Sequence, residues 1–166
     1  MARFTSTVIS AATLVATAPT GATANSLFAN LNASATAGFK LRRITIGTVA
    51  AGTPVSQQCV VALVRTTARG TATSTFAPKA LDPNSLQTSS ITGLDTAWST
   101  VPTATWTAAN WSYLIPFNSQ SSADLPYELL EEMVCGIGVA NGIAFINVQN
   151  TMPTGHSYVL TVEHEE

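Results

Sequence analysis

The chain has 166 residues, 46% of them hydrophobic and only 10% charged, enough for one domain with an apolar core and too short for two ordinary ones. Seven basic residues against nine acidic ones give a formal charge of −2, which excludes the basic surface of a nucleic-acid binder and the block charge of an acidic tail. Alanine and threonine contribute 25 residues each and serine 15. So many small and β-branched residues, with so little Lys and Glu, predict strands rather than helices.

In chain order, the Thr-, Ala- and Val-rich stretch from Thr5 to Ala18, closed by Pro19 and Gly21, predicts an extended N-terminal strand or arm. The same region imitates a secretory signal through Arg3, Val8 to Ala18 and Ala22-Thr23-Ala24, but Ser10, Thr13 and Thr17 interrupt its apolar centre, and an uncleaved arm is the expectation. Ser26 to Asn32 reads as a short strand. Phe39 to Val49 reads as a longer one, whose alternation of Phe39 and Leu41 with Lys40 and Arg42 slips phase at Arg42-Arg43 before Ile44 and Ile46, the mark of a β-bulge. After the turn Gly52-Thr53-Pro54, Gln57 to Thr67 forms the longest apolar strand.

Arg69-Gly70 breaks that strand, and Ser74 to Ala80 follows as a shorter one until Pro78 and Asp82-Pro83-Asn84 stop pairing. Leu81 to Ala109 reads as long loops around short strands, carrying Trp98 and Trp106. Trp111 to Phe117 alternates again, with Pro116 placing it at an edge or an end. Ser122 to Glu132 is the one helix candidate, from its Ser cap, Asp124 and Pro126. Met133 to Ala140 and Ile143 to Gln149 are expected to pair as a hairpin across Asn141-Gly142, a dipeptide suited to a tight turn. His156 to Glu163 alternates as the final strand. Eight or nine short strands without alternating helices predict an all-β, jelly-roll-like two-sheet sandwich of about eight strands, residues 26–166, preceded by an N-terminal arm, residues 1–25.

No run approaches the roughly 18 apolar residues of a membrane span. Cys59 and Cys135 each sit inside an apolar run and read as buried thiols, too few for a disulfide scaffold. The sequons at Asn32 and Asn110 read as chance. All seven basic residues precede all nine acidic ones, an order that arises by shuffling in about one of eleven thousand arrangements. Every ion pair must therefore join the first half of the chain to the second, either within one molecule or between neighbouring copies.

No catalytic pattern stands out. The only imidazoles, His156 and His164, lie near the C-terminus outside any nucleophile–base motif. The cluster Glu163-His164-Glu165-Glu166 has metal-ligating atoms but reads as a solvated, frayed end. Gly136-Ile137-Gly138 with Gly142 does not open a helix, as a phosphate loop would. Asp124, Glu128 and Glu131 with Trp98, Trp106 and Trp111 are the ingredients of a sugar site, although tryptophans in a sandwich serve more often as core or interface anchors. No cofactor, metal or catalytic residue is therefore assigned.

Five segments, Arg65 to Gly70, Leu81 to Ser85, Asp95 to Ser99, Phe117 to Gln120 with Ala123 to Pro126, and Ala140-Asn141-Gly142, together resemble a family of small virion proteins of tailed bacteriophages, over the stretch from about Phe39 to the end. The resemblance implies a jelly-roll-like sandwich made in the host cytoplasm and carried on the capsid exterior as a decoration or cement subunit. Its partners would be the major capsid protein and further copies of itself, as a homo-oligomer with a trimer preferred; nucleic acid and membrane are not expected partners. The motifs are turn and packing residues, so no functional residue transfers. The interface residues expected from the sequence are Phe4, Val8 and Ile9 in the arm, Arg42 and Arg43 pairing with acidic partners, and Trp98 and Trp106. The competing expectations are a shell-forming protein of a small virus and a carbohydrate-binding module of a phage appendage.

Overall fold

A computed structural model of the chain describes residues 2–10, 26–104, 111–128 and 131–166, without the side chains of Trp111 and Ser112. Among them are thirteen strands and no helix: β1 (Arg3–Ile9), β2 (Leu27–Asn32), β3 (Phe39–Ala50), β4 (Gln58–Ala68), β5 (Thr71–Phe76), β6 (Lys79–Ala80), β7 (Gly93–Thr100), β8 (Thr103–Ala104), β9 (Trp111–Asn118), β10 (Ser122–Pro126), β11 (Val134–Cys135), β12 (Gly142–Gln149) and β13 (His156–Glu165). They form two antiparallel sheets. The first runs β10-β3-β13-β1-β6, with β11 also on β3; the second runs β5-β7-β2-β12-β4-β8, with β9 also on β4.

Eight of these strands make a jelly roll. β1 pairs with β13, β2 with β12, β3 with β10 and β4 with β9, each antiparallel. These nested pairs are those of one long hairpin rolled up so that successive segments alternate between two sheets. The remaining strands are additions: β5, β6, β7 and β8 come from the segment between β4 and β9, and β11 from the segment between β10 and β12. Alternating side chains of both sheets meet in a core that includes Phe28, Leu41, Ile44, Ile46, Leu63, Phe145, Tyr158 and Leu160, burial that drives the folding of a chain with so few charges.

The sheets differ on their outer faces. Every residue of β2 is buried: on the outside of the second sheet Leu27, Ala62, Val64, Ala104, Ala144 and Ile146 cluster with Trp98 and Leu114 packed against them, and the β2 asparagines Asn30 and Asn32 are buried with Asp95, to which Asn32 donates. The first sheet instead shows solvent a threonine-rich face, with the Thr7 and Thr161 hydroxyls hydrogen-bonded at 3.0 Å.

Of the N-terminal stretch expected as a strand or arm, Arg3–Ile9 is a strand between β13 and β6, and residues 11–25 lie outside the described residues. Two sequence expectations change. The expected helix from Ser122 begins as strand β10, because Ser122 to Pro126 pair with Arg43 to Gly47. The expected Asn141-Gly142 hairpin does not form. β11 pairs with β3 in one sheet, whereas β12 pairs with β2 and β4 in the other, so the dipeptide lies where the chain crosses between sheets. Gly142 is needed there for closeness: a Cβ would lie 2.8 Å from the Leu31 carbonyl oxygen and 2.9 Å from the Thr66 hydroxyl.

Candidate functional site

β1 and β3 start, and β2, β10 and β13 end, at one end of the sandwich, where the 33–38, 81–92 and 136–141 loops lie near the two termini. The phase slip read at Arg42-Arg43 is the feature that organises this rim. Glu163 pairs with Arg43 and His164 with Leu41, so Arg42 is the extra residue of a bulge. That bulge turns Arg42 inward. It is only 8% exposed, its Nε donates to Glu165 Oε2 at 2.6 Å, and Nη1 lies 3.5 Å from Glu132 Oε1, which also takes Lys40 at 3.4 Å.

The C-terminus is fixed rather than frayed. His164 is fully buried, stacked on Phe4 with ring centroids 5.6 Å apart and edge-on to Phe39 at 5.8 Å. Its Nε2 lies 3.2 Å from Glu166 Oε1, and burial drives its pKa down, with Glu166 opposing. Glu166 in turn accepts from the Ser89 hydroxyl at 2.5 Å and the Ser90 N–H at 2.7 Å, tying the 81–92 loop to the end of β13.

Next to this ionic cluster lies a hollow of about 200 Å³ between β3, β11 and the end of β13, walled by Phe39, Val134, Cys135 and Ile137 and bordered by Lys40 and Glu166. The loop after β11 is held in place. Asn141 Nδ2 donates to the carbonyls of Gly136 and Ile137 at 3.2 and 2.8 Å, and the N–H of Gly138, whose φ is +143°, donates to the Ser34 carbonyl at 2.8 Å. These bonds present Ile137 and Val139 to water, each 62% exposed, while Leu86 on the 81–92 loop is 98% exposed. Ile137 and Val139, bare apolar side chains on one braced loop, are suited to contact with another protein surface.

The expected interface residues divide. Phe4 and Val8 are buried in their own core, and Ile9, 63% exposed, stands on the outer face of the first sheet opposite Val159. Arg42 and Arg43 both find acidic partners within the chain: the Arg43 guanidinium makes two bonds to the Asp124 carboxylate, at 2.8 and 2.5 Å, which hold Asp124 below its ordinary pKa. Trp98 is half-buried on the second sheet's outer cluster; Trp106 and the side chain of Trp111 lie outside the described residues. Of the carboxylates considered for a sugar site, Asp124 is committed to Arg43 and the Thr45 hydroxyl. Cys59 and Cys135 are free and buried as expected, and burial pushes the Cys135 thiol up to about 11. Asn32, in the first sequon, is buried and donates to Asp95 at 2.9 Å. Among the described residues no group of three His, Cys, Asp or Glu is placed to hold a metal ion, and no helix is long and apolar enough to cross a membrane.

The segregated charges meet inside the molecule: Lys40 and Arg42 with Glu132, Arg42 with Glu165, Arg43 with Asp124, and Arg69 with Asp95. Sequence reasoning missed Leu86, Ile137 and Val139, which read as ordinary loop residues; the flanking Asp82-Pro83-Asn84 and Gly136/Gly138 signalled loops but not what those loops expose. No protein-family model, curated protein or solved structure matches the chain.

Proposed function

We propose that this protein is a non-enzymatic structural subunit of a tailed-phage virion, a decoration or cement protein that sits as a homo-oligomer on the capsid exterior and bridges neighbouring major-capsid subunits. The observation that carries the reading is the apolar rim, where Leu86, Ile137 and Val139 project from loops tied by hydrogen bonds. The jelly-roll topology and the motif resemblance from Phe39 onward support it. Ordered loops lose little freedom when a partner covers them, so their apolar area contributes more fully to binding. Each subunit laid across a seam would add contacts that must break before the shell ruptures. The low charge of the chain suits a molecule that packs against copies of itself.

The test is to size the purified protein alone and after mixing with preformed expanded heads. A small oligomer that saturates heads at fixed stoichiometry and raises their rupture temperature is expected. A monomer that ignores heads would overturn the reading. Closed particles formed by the protein alone would favour the shell-forming alternative, and tryptophan fluorescence quenched by saccharides would favour the carbohydrate-binding one.

A further inference from the structure

We propose that the 81–92 loop is a strap that mild acid releases, with Glu166 as its latch and His164 as the group that takes up the proton. The device is independent of the virion role proposed above. From Asp82 to Ser90 the loop bonds mostly to itself: Asp82 accepts from the N–H groups of Asn84 and Ser85, and the Ser85 hydroxyl from the Gln87 N–H. Among the described residues, only Glu166 hydrogen-bonds this stretch to the rest of the protein, through the Ser89 hydroxyl and the Ser90 N–H. The ends are anchored separately. The Leu81 N–H donates to the Arg3 carbonyl at 2.9 Å, and Thr92 donates from its N–H to Asn32 and from its hydroxyl to Ala33. Losing the latch therefore frees the middle of the loop and leaves its ends in place. Leu86, Ser89 and Ile91 line a groove of about 530 Å³ together with Lys79 and Ala80, so movement of the strap reshapes that groove.

The same carboxylate faces the buried imidazole. Beside Glu166, His164 Nε2 carries the ring proton, which leaves Nδ1 a bare acceptor, buried and without a hydrogen-bond partner. A second proton must sit on Nδ1, where no acceptor meets it, in a ring enclosed by Phe4 of β1 and Phe39 of β3. The other charges on the surrounding elements are engaged or exposed. On β3, Lys40 is held by Glu132 and Arg42 by Glu165; on β13, Glu163 lies beside Arg43; Arg3 of β1 and Asp82 of the loop are exposed. Glu166 favours the charged imidazole, but burial outweighs it. A buried cation with an unmet N–H is costly, so proton uptake favours a form in which the ring reaches water. His164 lies at the end of β13, and the residue beyond it is held by the Glu166 N–H to the Ala2 carbonyl at 3.2 Å and by the latch itself. Turning the ring out to water draws Glu166 away from Ser89 and Ser90.

Hydrogen exchange at the Ser90 amide, followed by NMR, tests the switch. The open form binds a proton with the ordinary imidazole pKa of about 6.5 and the closed form refuses it, so the opening equilibrium should rise by up to about tenfold between pH 7.5 and 5.5. The rise is read as lost Ser90 protection after correction for the intrinsic exchange rate. The buried Tyr158 amide, which donates to the Ser10 hydroxyl, should stay the better protected throughout. Glu166→Ala should strip Ser90 of protection at both pH values while Tyr158 remains protected. His164→Gln, which cannot take up a proton, should abolish the acid step. Ser90 protection that does not fall toward pH 5.5 in the unsubstituted protein would overturn the switch whether or not the variants fold. So would an acid step that survives His164→Gln, or Ser90 exchange that only ever matches that of Tyr158, since the loop would then open by global unfolding alone.

Discussion

Arg42 and Arg43 are neighbours in sequence and opposites in environment. Arg42 is buried between Glu165 and Glu132, whereas Arg43 lies half-exposed on the outer face beside Asp124. One extra residue in β3 separates the two fates, since the bulge lets Leu41 and Ile44 both reach the core while Arg42 turns into the rim. The comparison teaches that an arginine's contribution depends on what its removal leaves behind. A buried carboxylate without its cation is expensive, and an exposed one is hydrated by water.

The largest expected effect follows from removing the buried cation. Arg42→Ala strands Glu165 and should destabilise the fold by about 3–5 kcal/mol, lowering Tm by roughly 10 °C in a chain of this size, as calorimetry would show. A smaller loss is expected when both charges go together. Arg42→Met with Glu165→Leu should recover most of the stability, and a double variant no better than Arg42→Ala would show that the bulge geometry, not the charge, is what matters.

The buried rim should also respond to acid, through His164. Burial holds its native pKa below the ordinary 6.5, so below that pH the unfolded chain binds a proton that the folded chain refuses. The stabilisation is complete above about pH 6.5 and falls as the pH drops further, by at most about 1.4 kcal/mol per pH unit for one proton. Denaturant midpoints measured between pH 7.5 and 5.5 should decline, and His164→Gln should flatten that decline. The smallest effect belongs to the exposed pair. Arg43→Ala should leave the unfolding midpoint almost unmoved, and adding salt should erase what difference there is; a loss comparable to that of Arg42→Ala would dissolve the contrast between the two arginines.

Much of the fold was legible because its strands alternate. The strands at Phe39, Gln57, Trp111 and His156, the bulge at Arg42-Arg43 and the burial of both cysteines all follow from which side chains water rejects. Ser122 to Pro126 misled because a serine cap, an acid and a proline mark a helix start equally well on an edge strand, and pairing with β3 decided between them. Asn141-Gly142 misled because a glycine required for close approach to the Leu31 carbonyl has the same sequence signature as a glycine required for a turn. The rim was the least legible. Exposure of Leu86, Ile137 and Val139 depends on how loops distant in sequence are tied together, through Glu166 to Ser89 and Ser90 and through Ser34 to Gly138.

By itself the sequence determined an all-β sandwich and required every ion pair to bridge its two halves. The tertiary structure decided where those bridges fall. A jelly roll is a long hairpin rolled on itself, so early strands lie against late ones and a chain basic first and acidic last matches its charges internally. Which pairs are buried, which hydrophobes stay wet and where a hollow opens depend on three-dimensional neighbours that no local pattern encodes, because burial belongs to the assembled surface and not to the residue.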